Sequence, residues 1–589
     1  MTLSIGGKNF LKSLQLFNYF VKLGIEYFIL CPGSRSAPLA LAAGELYKRG
    51  QIKLYSSIDE RSAGFHALGI SAASNKFVIV ITTSGTAVAN LLPSAIEADK
   101  SGYKIIFITA DRPLRLKNCG ANQTLNQEDF LIPACNVLLS LNVEGLHFTQ
   151  NSEIRKLIKK IIKLNLSKRG PIHLNIPIEE PLNISFESKK AILKSFYEFD
   201  SSSNDLFFND TKHKIKNKLF ESAFDKIDFS KDGIIIIGPF RGSHDELLMF
   251  NDSLKFIQEI TGWPIFADPI SGVCISIDGV IDNWELILSN ENFIIKCDQL
   301  LRLGPMTSSN VLEEFLRNFN GIQVLIKEND FRNLDPTKLS FEYEFGLNNF
   351  VRFLREQKSI KISHKKSLKA FTSNLIKEGH RINKILKKQF KLTEIVTECS
   401  IANVVPDLWP ENYPIMLSAS SPIRDWLTFS SNKTLSRRCF SFRGASGIDG
   451  TLSSALGIAR ITENPLLLVT GDLAFLYDIN GFLIEQVKEV NLKILVIDNN
   501  GGNIFNRIYS ENLDKGSMEK LFLMPRELNW NYLLEAHSIP SFNVTNHKTL
   551  KEAIVWSLSI DKFAIIRTKI DISFEINQRK TILNYINHI

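Results

Sequence analysis

Three parts of this sequence carry residue types that could hold a diphosphate and a hard cation, or move a proton. Gly471-Asp472-Leu473 and Asn499-Asn500-Gly501-Gly502 each follow a short apolar run, and Asp472 and Asn499 lie 27 positions apart. An Asp carboxylate, an amide oxygen and a main-chain carbonyl near Gly501 are hard oxygen ligands. They suit Mg2+, which takes octahedral oxygen and shares its shell with substrate phosphates. Glycines at such a point let the backbone approach a diphosphate closely. The plain alternative is a turn Asp after one strand and an Asn-Gly turn after another. Glu60, in Ser57-Ile58-Asp59-Glu60-Arg61, sits between a strand-like segment and a helix-like one. A glutamate there is either a solvated cap or a group that handles a proton. Arg35, Arg112, Arg424 and Arg443 fall just after expected strands or in glycine-rich turns. A guanidinium grips a carboxylate through two parallel hydrogen bonds, although one isolated arginine more often makes a surface ion pair.

Positioning these groups requires strands that end along a common edge. The short β-branched or aromatic runs 27–31, 77–81 and 104–110 each end in small or polar residues and lead into helix-like stretches, the pattern of buried parallel strands in an α/β domain. Gly170-Pro171-Ile172-His173-Leu174-Asn175-Ile176-Pro177 closes that region as a last strand. A polar stretch, 187–216, reads as a linker. Further strands are expected at 234–237, 264–267, 299–304 and 323–327. A Lys/Ser-rich segment at 358–369, with His364 inside it, reads as a second linker. Strands at 414–418, 466–470, 493–498 and 563–568 complete a third unit. The expected architecture is α/β, with three doubly wound parallel-sheet domains at 1–186, 215–358 and 385–589.

The 589 residues are too many for a single core, and 44% hydrophobic with 22% charged is ordinary for a globular protein. No apolar run reaches the roughly 18 residues of a spanning helix, and the first residues lack a secretion signal. Seven scattered cysteines without a CxxC pair point to reduced thiols in a cytoplasmic setting and against a structural zinc site. The net charge of +8 is spread along the chain. Its densest part, 155–163, alternates Lys and Arg with Leu and Ile as on an amphipathic surface helix. No nucleic-acid motif accompanies it.

Longer strings narrow the reading. They are Cys31-Pro32-Gly33-Ser34-Arg35-Ser36, Thr83-Ser84-Gly85-Thr86-Ala87-Val88-Ala89-Asn90, Thr109-Ala110-Asp111-Arg112-Pro113, Gly120-Ala121-Asn122-Gln123, Arg443-Gly444-Ala445-Ser446-Gly447-Ile448-Asp449-Gly450 and Tyr477-Asp478. With the Asp472 and Asn499 pair, which resembles the GDG…NN signature of thiamine-diphosphate enzymes, their order from near residue 10 to near 570 resembles one family. That family is the synthases of 2-succinyl-5-enolpyruvyl-6-hydroxy-3-cyclohexene-1-carboxylate, in which Leu at the third signature position is at home.

The resemblance implies a thiamine-diphosphate-dependent transferase of menaquinone or phylloquinone biosynthesis. It implies pyrimidine-binding, central and diphosphate-binding domains. Glu60 would hydrogen-bond N1′ of the aminopyrimidine, from a dry pocket that raises its pKa. Ser84, Gly85, Ile448, Gly471, Asp472, Leu473, Asn499, Gly501, Gly502, Ile504 and Phe505 would also bind the cofactor, with Ile448 as the apolar wedge beneath it. Asp472, Asn499 and Gly501 would hold Mg2+ or Mn2+. Ser34, Arg35, Arg112, Gln123, Ser420, Arg424, Arg443 and Ile508 would bind substrate. The substrates implied are 2-oxoglutarate and isochorismate. The first would lose CO2 to leave a masked acyl anion that adds in a 1,4 sense to the second. A homodimer or homotetramer with active sites between subunits is implied as well. One departure stands out: Asn310 occupies a middle-domain position where the family generally carries a basic residue. An acetohydroxyacid synthase, a 2-oxoacid decarboxylase or a non-catalytic paralogue would share the first motifs. Only the named family calls for the Arg443–Gly450 string and the arginine set.

Overall fold

Runs such as Ile105-Ile106-Phe107-Ile108 leave neither strand face fit for water, so they form the interior of parallel sheets covered on both sides. The computed structural model describes residues 3–588 except 136–137, 168–169, 201–216, 329, 331, 358–367, 392 and 510–512. Its first sheet holds β1 (Tyr27–Leu30), β2 (Lys53–Ser56), β3 (Val78–Thr82), β4 (Ile105–Asp111), β5 (Leu138–Ser140) and β6 (Ile172–Pro177), in the order β2-β1-β3-β4-β6-β5. The second holds β7 (Gly233–Ile237), β8 (Ile265–Ala267), β9 (Gln299–Leu303), β10 (Ile322–Ile326) and β11 (Phe341–Tyr343), in the order β11-β10-β9-β7-β8. The third holds β12 (Ile415–Leu417), β13 (Cys439–Phe440), β14 (Leu466–Gly471), β15 (Leu492–Asp498), β16 (Ser541–Val544) and β17 (Ala564–Lys569), in the order β13-β12-β14-β15-β17-β16. All pairings between these strands are parallel. The first and third sheets therefore share one topology. In each, the first strand lies between the second and third, so the connections diverge at the β1/β3 and β12/β14 boundaries. Open α/β sheets bind ligands at such switch points, beyond the carboxyl ends of the strands.

The expected strands are all present, with ends shifted by a residue or so. The stretch 187–216 is not all linker. Phe186–Asp200 is a helix, because Ile192 and Phe196, one turn apart, pack on the first sheet's core. The rest of that stretch, 201–216, lies outside the described residues, as does nearly all of 358–369 with His364.

The chain divides into two compact units. One comprises 1–214 with 442–461 and 477–490, and carries the first sheet. Within it the helix Glu60–Ser74 lies directly on the helix Thr451–Ala459: a Cβ at Gly69 would stand 2.0 Å from the Ser454 carbonyl oxygen, and one at Gly457 2.2 Å from that of His66. His66 is fully buried in this contact, with Nδ1 3.3 Å from the Ser453 carbonyl and Nε2 accepting from Arg460 Nε at 2.9 Å. Burial and the Arg460 charge hold it neutral, well below the usual histidine range. The other unit carries the second and third sheets. The helix Ala370–Lys391 buries Leu375, Ile382, Leu386 and Phe390 in one core with Phe266 and Val405.

Candidate active site

At the carboxyl ends of β14 and β15 the chain turns out of the third sheet at Asp472 and Asn499. The two strands are neighbours with Gly471 opposite Ile497, so Asp472 comes level with Asp498 and Asn499 follows one residue on. Asp472 is 5% exposed. Its Oδ1 accepts from the Leu473 N–H and its Oδ2 from the Gly501 N–H, both at 2.8 Å. Burial raises its pKa to about 7, and the nearby Asp498 and Glu398 charges add to the rise. Asn499 is buried; its Nδ2 donates to Glu398 Oε1 at 2.7 Å, and its Oδ1 has no hydrogen-bond partner. Gly501 has φ of +130°, and a Cβ there would stand 1.9 Å from the Leu523 carbonyl oxygen, so only glycine fits. The Gly501 carbonyl accepts from the Asn503 N–H at 3.0 Å and keeps a second lone pair. An unneutralised carboxylate, an orphan amide oxygen and a carbonyl are the donor set of a hard divalent cation. Gly502, Ile504, Phe505 and Ile508 follow on two short helical turns; Ile508 is exposed, and Phe505 packs on Phe522 and Tyr509.

Beneath Asn499 lies a buried chain of ions. Glu398 is the first residue of the helix Glu398–Leu408, capped by Thr397. Its Oε2 accepts from Arg507 Nη2 at 2.6 Å, and its Oε1 also accepts from Asn503 Nδ2 at 3.0 Å. Asp425 bridges Arg507 Nη1 at 3.0 Å and Arg579 Nη2 at 2.9 Å, and Arg579 reaches Glu575 at 2.8 Å. Burial would raise Asp425, but Arg507 and Arg579 outweigh it and its pKa is lowered. Burial prevails at Glu398, which is raised despite Arg507. Ser420, at φ +72°, follows β12 at the switch point, and its carbonyl accepts from Arg424 Nη1 at 2.8 Å.

The matching switch point of the first sheet carries Arg35 and Arg112. Gly33, after β1, sits against Thr83, after β3, where a Cβ would come within 2.4 Å of the Thr83 Cβ. Arg35 is 5% exposed and donates to the Ile178 carbonyl at 3.0 Å and to Glu180 at 2.8 Å, while Ser34 beside it is exposed. Arg112, after β4, is 8% exposed and donates through Nη1 to the Gln123 carbonyl at 2.8 Å and to Ser84 Oγ. Its pKa is lowered, by burial first and by the charge of Arg35 next. Gln123 Nε2 returns to the Ser84 carbonyl at 2.8 Å, and the Gly85 N–H donates to Gln127 Oε1 at 2.9 Å. Ser84, Gly85, Arg112 and Gln123 thus form one hydrogen-bonded cluster, with Arg35, itself paired with Glu180, close enough for its charge to act on Arg112.

Glu60 is the first residue of its helix. Asp59 caps that helix by accepting from the N–H groups of Arg61 and Ser62. Glu60 is half-buried and its Oε2 accepts from Asn90 Nδ2 at 3.2 Å, so within one chain the expected dry pocket is incomplete. Arg443 and half-buried Ile448 ride on a loop tied down by Glu97, whose carboxylate accepts from the N–H groups of Gly444, Ala445 and Ser446 at 2.8, 2.6 and 3.2 Å. The next helix, Thr451–Ala459, is capped from Asp478, which accepts from the Ser453 N–H at 2.6 Å. Asn310 is exposed at the start of the helix Asn310–Asn318. Glu97, Gln127, Glu398 and Arg507 went unnoticed in the sequence. Only Thr397, a helix-cap residue preceding Glu398, gave a local sign of any of them.

Two family models match the chain, the N-terminal thiamine pyrophosphate binding domain at residues 13–130 and the C-terminal thiamine pyrophosphate binding domain at 426–568. With the twin sheets and the sites at their switch points, they define a thiamine-diphosphate-binding enzyme. The chain is 57% identical over 586 residues to the 2-succinyl-5-enolpyruvyl-6-hydroxy-3-cyclohexene-1-carboxylate synthase of Prochlorococcus marinus strain MIT 9215, covering 100% of both chains. It is 57% identical over 587 residues to that of strain MIT 9301, again covering 100% of both. To that of strain NATL2A it is 42% identical over 570 residues, covering 96% of this chain and 95% of the relative. The chain belongs to this family of synthases: it is a transferase that forms a C–C bond in dependence on thiamine diphosphate. Among the described residues, no helix is long and apolar enough to cross a membrane.

Proposed function

We propose that this protein decarboxylates 2-oxoglutarate and adds the succinyl fragment in a 1,4 sense to isochorismate, giving 2-succinyl-5-enolpyruvyl-6-hydroxy-3-cyclohexene-1-carboxylate and CO2. The observation that carries the substrate reading is the pair of buried guanidiniums, Arg35 and Arg112, at the first sheet's switch point. Both substrates are dicarboxylates, and planar guanidiniums held in place suit carboxylates. When bound, thiamine diphosphate supplies a nucleophilic carbon and an electron sink for the decarboxylation. Asp472, the Asn499 Oδ1 and the Gly501 carbonyl would hold Mg2+, or Mn2+ in its place, with Gly471, Leu473 and Gly502 close to the diphosphate. Ser84 and Gly85 would bind the cofactor from the first sheet, Ile448, Ile504 and Phe505 would pack against it, and Glu60 would hold a proton at its pyrimidine. Ser34, Arg35, Arg112, Gln123, Ser420, Arg424, Arg443 and Ile508 would orient the substrates and exclude water from the reacting carbon.

The domains would be pyrimidine-binding, 1–186, central, 215–358, and diphosphate-binding, 385–589. A homodimer or homotetramer is supported by apolar side chains beside the site residues that one chain leaves uncovered: Ile58 is 74% exposed and Ile508 56%. Free thiols at exposed Cys119 and Cys274 favour a cytoplasmic setting. The test is CO2 release from 2-oxoglutarate with thiamine diphosphate and Mg2+, with and without isochorismate. Strong stimulation by isochorismate is expected. Release from pyruvate instead would overturn the substrate assignment and leave the cofactor assignment standing.

A further inference from the structure

Asn499 is held in one orientation, and that orientation decides which atom it offers beside Asp472. Its Nδ2 donates to Glu398 Oε1 at 2.7 Å, and its Oδ1 is buried without a partner. Glu398 cannot turn away, since Arg507 Nη2 holds Oε2 at 2.6 Å and Asn503 Nδ2 shares Oε1 at 3.0 Å. A carboxylate paired with arginine accepts and does not donate, so Asn499 must face it with nitrogen. Turning the amide over would bring Oδ1 against Glu398 Oε1, acceptor against acceptor. We propose that Glu398 is a positioning residue of the cation site: it fixes the Asn499 amide so that Oδ1, not Nδ2, lies beside Asp472. This rests on the reading of Asp472 and Asn499 as ligands of a divalent cation. Partners of this second layer govern how well a ligand serves its metal.

The polarity of the Glu398–Asn499 bond can be reversed by exchanging a carboxylate for an amide on either side. In Glu398→Gln the single side-chain oxygen must go to Arg507, which can only donate. The new amide nitrogen then faces Asn499, whose oxygen turns to accept from it and whose nitrogen turns toward Asp472. In Asn499→Asp a harder ligand is gained, but a carboxylate is set against Glu398. The double variant keeps the net charge of the wild type. In it the new amide at position 398 donates to one oxygen of the new carboxylate at position 499 and leaves the other oxygen for the cation.

The readout is Mn2+ binding to the full-length protein with thiamine diphosphate, followed by the electron paramagnetic resonance signal of the free ion. It does not depend on turnover. E398Q and N499D are each expected to bind at least about tenfold more weakly than the wild type, and the double variant within about threefold of it. E398Q binding as tightly as the wild type, N499D binding as tightly or more so, or a double variant no better than the singles would each overturn the role of Glu398. If E398Q does not fold, N499D and the double variant carry the test. A wild-type protein that fails to bind Mn2+ would instead overturn the cation site itself.

Discussion

Replacing Glu97 by Gln perturbs the loop that carries Arg443 and Ile448 without changing the shape of the side chain. The Glu97 carboxylate is 3% exposed and uses both oxygens: Oε1 accepts from the Gly444 N–H and Ser101 Oγ, Oε2 from the N–H groups of Ala445 and Ser446. An amide has one oxygen, so one of the two sets of donors must face an NH2 group. Losing the Oε2 pair removes two charge-assisted bonds of about 1.5–3 kcal/mol each. Ala445 is exposed, and water at its N–H recovers part of that. A net local cost of about 2–3 kcal/mol is expected, which is about 30–150-fold in an equilibrium at roughly 1.4 kcal/mol per decade. Amide hydrogen exchange at 444–446 reads this directly, since local opening sets the exchange rate. It should accelerate by that factor, with kcat/KM for CO2 release falling about as far and the global melting temperature moving little. Exchange within threefold of the wild type in a folded E97Q protein would show that the loop is held by something other than Glu97.

Three further outcomes are expected. Gly501→Ala forces a side chain into φ of +130° and against the Leu523 carbonyl oxygen, so Mn2+ affinity should fall at least about tenfold, as read by calorimetry. Arg112→Ala should lower kcat/KM for 2-oxoglutarate by about 100-fold or more, and Arg112→Lys should recover only part, because a lysine keeps the charge but not the fork; full recovery in steady-state kinetics would refute that reading. His173 is buried and its pKa is lowered to about 4. The unfolded chain therefore binds a proton that the folded chain refuses between pH 6.5 and 4, and stability is lost as pH falls through that window by up to about 3 kcal/mol. Denaturant titrations of the wild type and His173→Gln should diverge by that amount. Taking the difference cancels the opposite trend of Asp478, raised to about 7 by burial.

Where a feature is local and periodic the sequence displays it, and where it depends on distant pairing it does not. The inner strands of all three sheets are legible because runs such as Ile234-Ile235-Ile236-Ile237 admit no other buried form, whereas the short edge strands β5, β11, β13 and β16 carry no such run and are not among the expected strands. The site residues are legible because motif strings mark the turns after β1, β3, β14 and β15. The helix Phe186–Asp200 reads as linker because its Ser, Lys and Glu content outweighs Ile192, Leu193 and Phe196, the apolar residues that pack on the core. The supports of the site are hidden for another reason. Glu398 is 101 positions from Asn499, and Glu97 is 347 from Gly444. A lone buried acid leaves no mark on local composition, and its partner is chosen by the packing of strands and helices far apart in the chain.

At Asp472 two opposed effects can be weighed. The residue opens a short helix, where the backbone dipole favours an anion, and it accepts two main-chain N–H bonds. A helix terminus contributes about 0.3–1 kcal/mol. Burial nevertheless raises the carboxyl from 3.8 to about 7, a displacement of about 4 kcal/mol toward the neutral form, so desolvation wins. The neighbouring acids are treated differently. Asp498 has Arg567 at 2.5 Å, and Glu398, Asp425 and Glu575 share Arg507 and Arg579. Among the described residues no lysine or arginine forms an ion pair with Asp472. The fold pairs four buried acids with three arginines and leaves the fifth without a cationic side chain. The electrostatics of the third sheet thus support, independently of any motif, the divalent cation proposed at the end of β14.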